Sequence, residues 1–135
     1  RYGTPFSLAL MTIDDFADFC AANGREAGAR LLAEVGSLLG RNLREFDMVG
    51  RFASDQFLLI LPNVRINDAM IGLERVLAAV EAAYSHNTKP TLTISGGVTE
   101  YSGEDSPALI EHLRPLLSAA QEAGGNRLCV DLEIF

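Results

Sequence analysis

With 135 residues, 48% of them hydrophobic, the chain has the size of one globular domain, residues 1–135, built round a single core. A formal net charge of −7 and the lack of any basic run exclude wrapping of a nucleic-acid polymer, while leaving room for a small anion where a few arginines converge. No apolar run reaches membrane-spanning length and no signal peptide is visible, so the domain itself is not expected to insert in a membrane. Cys20 and Cys129 stand far apart in no metal-ligand spacing and read as reduced thiols of a cytoplasmic protein. The chain begins at Arg1 and enters a strand-like run within five residues, which reads as a domain cut from a larger multidomain protein.

FSLALMTI (6–13) is a continuous apolar run suited to a buried strand. Asp14 or Asp15 is placed to cap a short helix whose apolar side is Phe16, Phe19 and Cys20, and Asn23-Gly24 ends it. From about Arg25 to Asn42, Leu31, Leu32, Val35, Leu38 and Leu39 recur at helical spacing. FDMVGRF and QFLLILP read as two strands of a hairpin, the second stopped by Pro62 and Asn63. Residues 67–84 are helical again, with Ala69, Met70, Leu73, Val76, Leu77 and Val80 in the stripe and Arg75 off it. TLTISGGVTE (91–100) alternates as a strand, with Gly96-Gly97 as a kink. Ser106-Pro107 starts a last helix that Pro115 should kink or divide. Gly124-Gly125 ends it, and RLCVDLEI is the final strand. The order β-α-α-β-β-α-β-α-β predicts an α/β (α+β) fold: a central, mixed, largely antiparallel five-stranded sheet wrapped by helices.

The hairpin turn is unusual. Between RF and FLLILP stand Ala53, Ser54, Asp55 and Gln56, where tight hairpins favour glycine. Set beside TIDDF (12–16), Gly24 and Gly28, LREFDMVGRF (43–52), ISGGV (94–98) and AGGN (123–126), this hairpin makes the chain resemble the GGDEF domain of diguanylate cyclases over nearly its whole length. The resemblance implies a nucleotide-cyclase-like fold. It also implies a function, the joining of two GTP molecules into cyclic di-GMP by a domain dimer. Several positions depart from that pattern. Ala53 and Ser54 replace the two glycines, Asp55 keeps a carboxylate, and Gln56 is a neutral amide. The resemblance places Thr12 at the metal-binding aspartate, Cys20 and Ala29 at two guanine-reading positions, and Gln121 and Gly125 at two phosphate-holding cations. A hydroxyl is a poor replacement for a magnesium carboxylate, and phosphoryl transfer depends on positioning and charge. No catalytic residue, resident metal or cofactor is therefore expected.

Arg44-Glu-Phe-Asp47, just before the hairpin, matches the RxxD of the family's inhibitory site for cyclic di-GMP, and Arg75 falls where the family often adds a second arginine. An arginine offers parallel donors to a phosphate or to the Hoogsteen edge of guanine, and Asp47 is placed to accept from guanine N–H groups. Read without the family, Arg44 and Asp47 form an ordinary ion pair at a helix end, where a cation suits the dipole, and Arg75 with Glu74 is a charged face. Arg51 reads as a partner for a neighbouring carboxylate. His86 and His112 stand alone, and Met11, Met48 and Met70 read as core. The leading expectation is a catalytically inactive domain that receives cyclic di-GMP through Arg44, Asp47 and Arg75. The alternative is a nucleotide-independent dimerisation or regulatory module for an attached sensor or EAL phosphodiesterase domain, in a cytoplasmic or membrane-anchored protein. A homodimer is compatible with both.

Overall fold

A computed structural model describes residues 5–84, 92–101, 106–131 and 133–134. Its elements are β1 (Phe6–Ile13), α1 (Phe16–Asn23), α2 (Arg25–Arg41), β2 (Met48–Ala53), β3 (Gln56–Pro62), α3 (Ile66–Tyr84), β4 (Ile94–Glu100), α4 (Ser106–Glu122), β5 (Leu128–Val130) and β6 (Glu133–Ile134). The sheet runs β2-β3-β1-β4-β5-β6, and all its pairings are antiparallel except β4 with β5. The mixed, largely antiparallel sheet wrapped by helices is as the sequence implies. The final strand run is bent rather than continuous. Asp131 sits at φ 47, so β5 ends at Val130 and β6 returns antiparallel to it as a short sixth strand. His86 lies outside the described residues.

Strand β1 is buried along nearly its whole length, and mostly apolar, because both of its faces are covered. Ala9, Met11 and Ile13 face α2 and α3, where Val35, Leu39, Leu73 and Val76 are buried. Leu8 and Leu10 face α4, against Leu113, Leu116 and Leu117. Those three leucines flank Pro115, and α4 runs through the proline as one element. Burial on the sheet outweighs the lost helix hydrogen bond, and the expected division does not occur. Gly97 marks close approach rather than a kink: a Cβ there would stand 2.7 Å from the Leu117 nitrogen and 2.8 Å from the Leu113 oxygen. Met11 and Met70 are core, but Met48 is exposed on edge strand β2.

Neither Asp14 nor Asp15 caps α1 through its side chain. Asp15 takes the N-cap position at φ 57 with no side-chain cap bond. The Asp14 carboxylate instead reaches across the fold, accepting from Thr93 Oγ1 at 2.7 Å and from the Asn126 backbone N–H at 2.8 Å. Its own N–H donates to the Thr93 carbonyl at 2.9 Å, in the register of the β1–β4 pairing. Cys20 and Cys129 are free thiols, the first half-buried and the second buried.

Candidate functional site

The β2–β3 turn closes without glycine because it does not use the left-handed region. Neither Ser54 nor Asp55 has positive φ, and the ladder shifts register between Arg51 and Ala53 before Ala53 pairs with Gln56. Two side chains staple this turn. Arg51 Nη2 donates to the Ser54 carbonyl at 2.6 Å, with its guanidinium 5.9 Å from the Phe57 ring centroid. This contact replaces the carboxylate partner expected for Arg51. Thr12 Oγ1 donates to the Asp55 carbonyl at 2.7 Å, joining β1 to the turn. Thr12→Val should leave that carbonyl without its partner and cost about 1–2 kcal/mol, read as a lower urea midpoint.

Thr12, Asp55, Gln56 and Gln121 line one cleft of about 490 Å³. Cys20, Ala29, Ala53, Ser54 and Gly125 lie outside its lining. Cys20 packs at the α1–α2 seam, its Sγ 2.5 Å from where a Cβ on Gly28 would stand, and Ala29 is exposed. Gly125 sits at φ +77, and a Cβ there would meet the Asp14 carboxylate at 2.9 Å, so this backbone suits glycine and disfavours a longer residue. The Thr12 hydroxyl proton is engaged by a carbonyl, and the buried Gln56 Oε1 has no hydrogen-bond partner among the described residues. This neutral pair does not fit a hard divalent cation. Sequence reasoning missed Arg114, the one cation among the described lining residues. It stands seven positions before Gln121, about two helical turns, on the same face of α4. Its guanidinium lies 5.6 Å from the Phe52 ring centroid and pairs with Glu111 at 3.7 Å.

A second cavity, of about 260 Å³, brings Arg44, Asp47 and Arg75 together over an apolar floor of Leu61, Val64 and Leu73. After Asn42 closes α2, residues 44–47 form a turn in which the Asp47 N–H donates to the Arg44 carbonyl at 3.1 Å. That turn delays β2 until Met48. The Asp47 carboxylate accepts from the Arg44 backbone N–H at 2.8 Å, from Nη2 at 2.8 Å and from Nε at 3.2 Å. Arg44 Nη2 also donates to the Pro62 carbonyl at 2.8 Å, at the end of β3. The hydrogen bond to Asp47, assisted by its charge and opposed by burial, raises the Arg44 pKa above its usual value. The pair is asymmetric: the Asp47 side chain is 3% exposed and that of Arg44 51%. Arg44 Nη1 makes no hydrogen bond among the described residues. Arg75 is exposed on α3 and pairs with neither Glu74 nor any other described residue.

A mixed sheet with three helices on one face, a fourth on the other and an edge hairpin above a cleft is the architecture of a nucleotide-cyclase-like domain. The chain belongs to the GGDEF family: the family model described as diguanylate cyclase, GGDEF domain, matches residues 1–127. It is 31% identical over 131 residues to the diguanylate cyclase DgcP of Pseudomonas aeruginosa, covering 95% of this chain and 20% of that protein. It is 27% identical over 132 residues to the diguanylate cyclase DosC of Escherichia coli, covering 95% of this chain and 29% of that one. Among solved structures it resembles the GGDEF domain of DgcB from Caulobacter crescentus in complex with c-di-GMP, with a TM-score of 0.85 at 26% identity, covering 95% of this chain and 78% of that one. It also resembles the diguanylate cyclase SiaD of Pseudomonas aeruginosa in complex with its activator SiaC, with a TM-score of 0.88 at 30% identity, covering 96% and 51%.

Proposed function

We propose that this domain receives cyclic di-GMP at Arg44, Asp47 and Arg75 and does not synthesise it. The observation that carries the reading is the shared cavity: two arginines from separate segments converge on an apolar floor in a chain of net charge −7. Such a pairing suits a ligand with two phosphates and flat bases. Arg44 presents Nη1, its other nitrogens being fixed by Asp47 and the Pro62 carbonyl, and Arg75 reaches in from α3. Asp47 serves by orienting Arg44. That the DgcB domain is known in complex with c-di-GMP supports this choice of ligand.

The reading of an inactive cleft rests on the donor set. Thr12 and Gln56 are neutral, and Arg114 shares the lining with Asp15 and Asp55, with no second cation among the described lining residues. A triphosphate brings more charge than that cleft offsets. No described helix is long and apolar enough to cross a membrane, and we place the domain in the cytoplasmic part of a longer signalling protein. Ligand alters output only by favouring one arrangement of that protein over another. The exposed Met48, at the start of edge strand β2, and Phe46 just before it favour a second reading, a nucleotide-independent docking module for an attached sensor or EAL domain or for a second copy. Calorimetry with cyclic di-GMP separates the two: saturable heat supports the receptor, and its absence favours the docking module.

A further inference from the structure

The cleft beside the hairpin turn is short of cations, and the polar groups on its lining are nearly all acceptors. Asp15 is exposed at the start of α1, and Asp55 is half-buried in the turn. Neither side chain makes a hydrogen bond or ion pair among the described residues. Gln56, on the same lining, buries an Oε1 that has no hydrogen-bond partner. Thr12 stands opposite Gln56 in the β1–β3 register and already donates its hydroxyl proton to the Asp55 carbonyl, so only the lone pairs of Oγ1 remain. Arg114 is the exception. Its guanidinium lies over the Phe52 ring and makes no hydrogen bond among the described residues. Its exposed contact with Glu111, at 3.7 Å, is a weak one and leaves the forked donors available.

Such a lining sorts ligands by what they donate. A polyphosphate brings acceptors to acceptors and is disfavoured. A buried acceptor is costly when unpaired, so the Gln56 Oε1 calls for an incoming N–H. Two carboxylates against one guanidinium leave an excess of negative charge, and their complement is a molecule with two cationic donor groups and one carboxylate. An α-amino acid with a basic side chain has that set of groups. Its α-carboxylate matches the paired donors of a guanidinium, and its ammonium groups, or its own guanidinium, match carboxylates and an amide oxygen. The cleft, at about 490 Å³, is of a size that suits a small molecule.

We propose that this cleft binds a basic amino acid, with Arg114 holding its α-carboxylate and Asp15, Asp55 and Gln56 holding its two cationic groups. This site goes beyond the receptor reading and does not depend on the arginine cavity. The plainer alternative, a solvated acidic surface, accounts for Asp15 and Asp55 but not for the unpartnered Gln56 Oε1.

The test is calorimetric titration, at fixed salt, with L-lysine and L-arginine, with their decarboxylated counterparts cadaverine and agmatine, and with L-norleucine, which lacks the second cationic group. At least one of the two basic amino acids should give saturable heat. Its decarboxylated counterpart and L-norleucine should each bind about 10-fold more weakly or worse. Arg114→Gln should bring the amino acid down to the affinity of its decarboxylated counterpart and leave the latter unchanged. Asp55→Asn and Asp15→Asn should weaken both by about 10-fold. Melting temperatures taken without ligand should match the wild type in Asp15→Asn and Arg114→Gln, whose side chains are exposed, so that lost binding there is not lost folding. No saturable heat from either basic amino acid, equal binding of the decarboxylated counterpart, or wild-type affinity in both Asp15→Asn and Arg114→Gln would overturn the proposal while leaving the receptor reading as it stands.

Discussion

Arg44→Ala is expected to lower the affinity for cyclic di-GMP by about 100-fold or more, in calorimetry at fixed salt. The substitution removes a charge-assisted donor from the cavity, and it also removes the partner of a nearly buried carboxylate. Asp47 would keep only the residue 44 backbone N–H, so this variant should also melt lower, as expected when one member of a buried pair is deleted. A loss of binding could then reflect a disturbed turn between α2 and β2. Arg75→Ala separates the two causes. Its side chain is exposed and pairs with no described residue, so the variant should melt with the wild type and still bind about 10-fold more weakly. Unchanged affinity in both variants would remove this cavity as the binding site.

The second large effect concerns the scaffold. Gly97→Ala should cost about 3 kcal/mol, because the added carbon would stand 2.7 Å from both Leu116 Cβ and the Leu117 nitrogen. These are fixed parts of α4, and no side-chain rotation relieves the contact. Against a usual total of about 5–15 kcal/mol, the urea midpoint should fall steeply. A second glycine gives the contrast. Gly72 lies within α3 with open space where a Cβ would go, so Gly72→Ala should raise stability by up to about 1 kcal/mol. If both variants melt alike, the close seat of α4 on β4 is not as described.

Much of this architecture was legible because it is periodic. The stripes of α2 and α3 follow helical spacing, so the buried Val35, Leu39, Leu73 and Val76 could be named, and Arg75 could be placed off the core face. The continuous apolar run of β1 likewise announced a strand covered on both sides. The residues of the arginine cavity were legible as RxxD and one further arginine, but their division of labour was not. Short spacing shows that Asp47 is near Arg44; it does not show that the pair leaves the carboxylate buried and the guanidinium half free.

Misreadings fell where a distant contact overrides a local rule. Asp14 looks like a helix cap, yet its partners are 79 and 112 residues away. Pro115 looks like a break, yet the leucines around it hold α4 to the sheet. Asp131 at φ 47 folds back a run that reads as one strand. Arg114 was hidden in a different way. Its place in the cleft follows from the packing of α4 beside β1 and the hairpin, which helical spacing alone does not fix.

The central proposal is that the arginine cavity recognises the dinucleotide while the separate cleft at the hairpin turn lacks the means to make it. Paired titration of the wild-type chain with cyclic di-GMP and with GTP plus Mg²⁺, with products assayed afterwards, addresses both halves at once. Saturable heat from cyclic di-GMP, with neither heat nor product from GTP, is the expected result. No response to cyclic di-GMP, or cyclic di-GMP formed from GTP, would contradict the account.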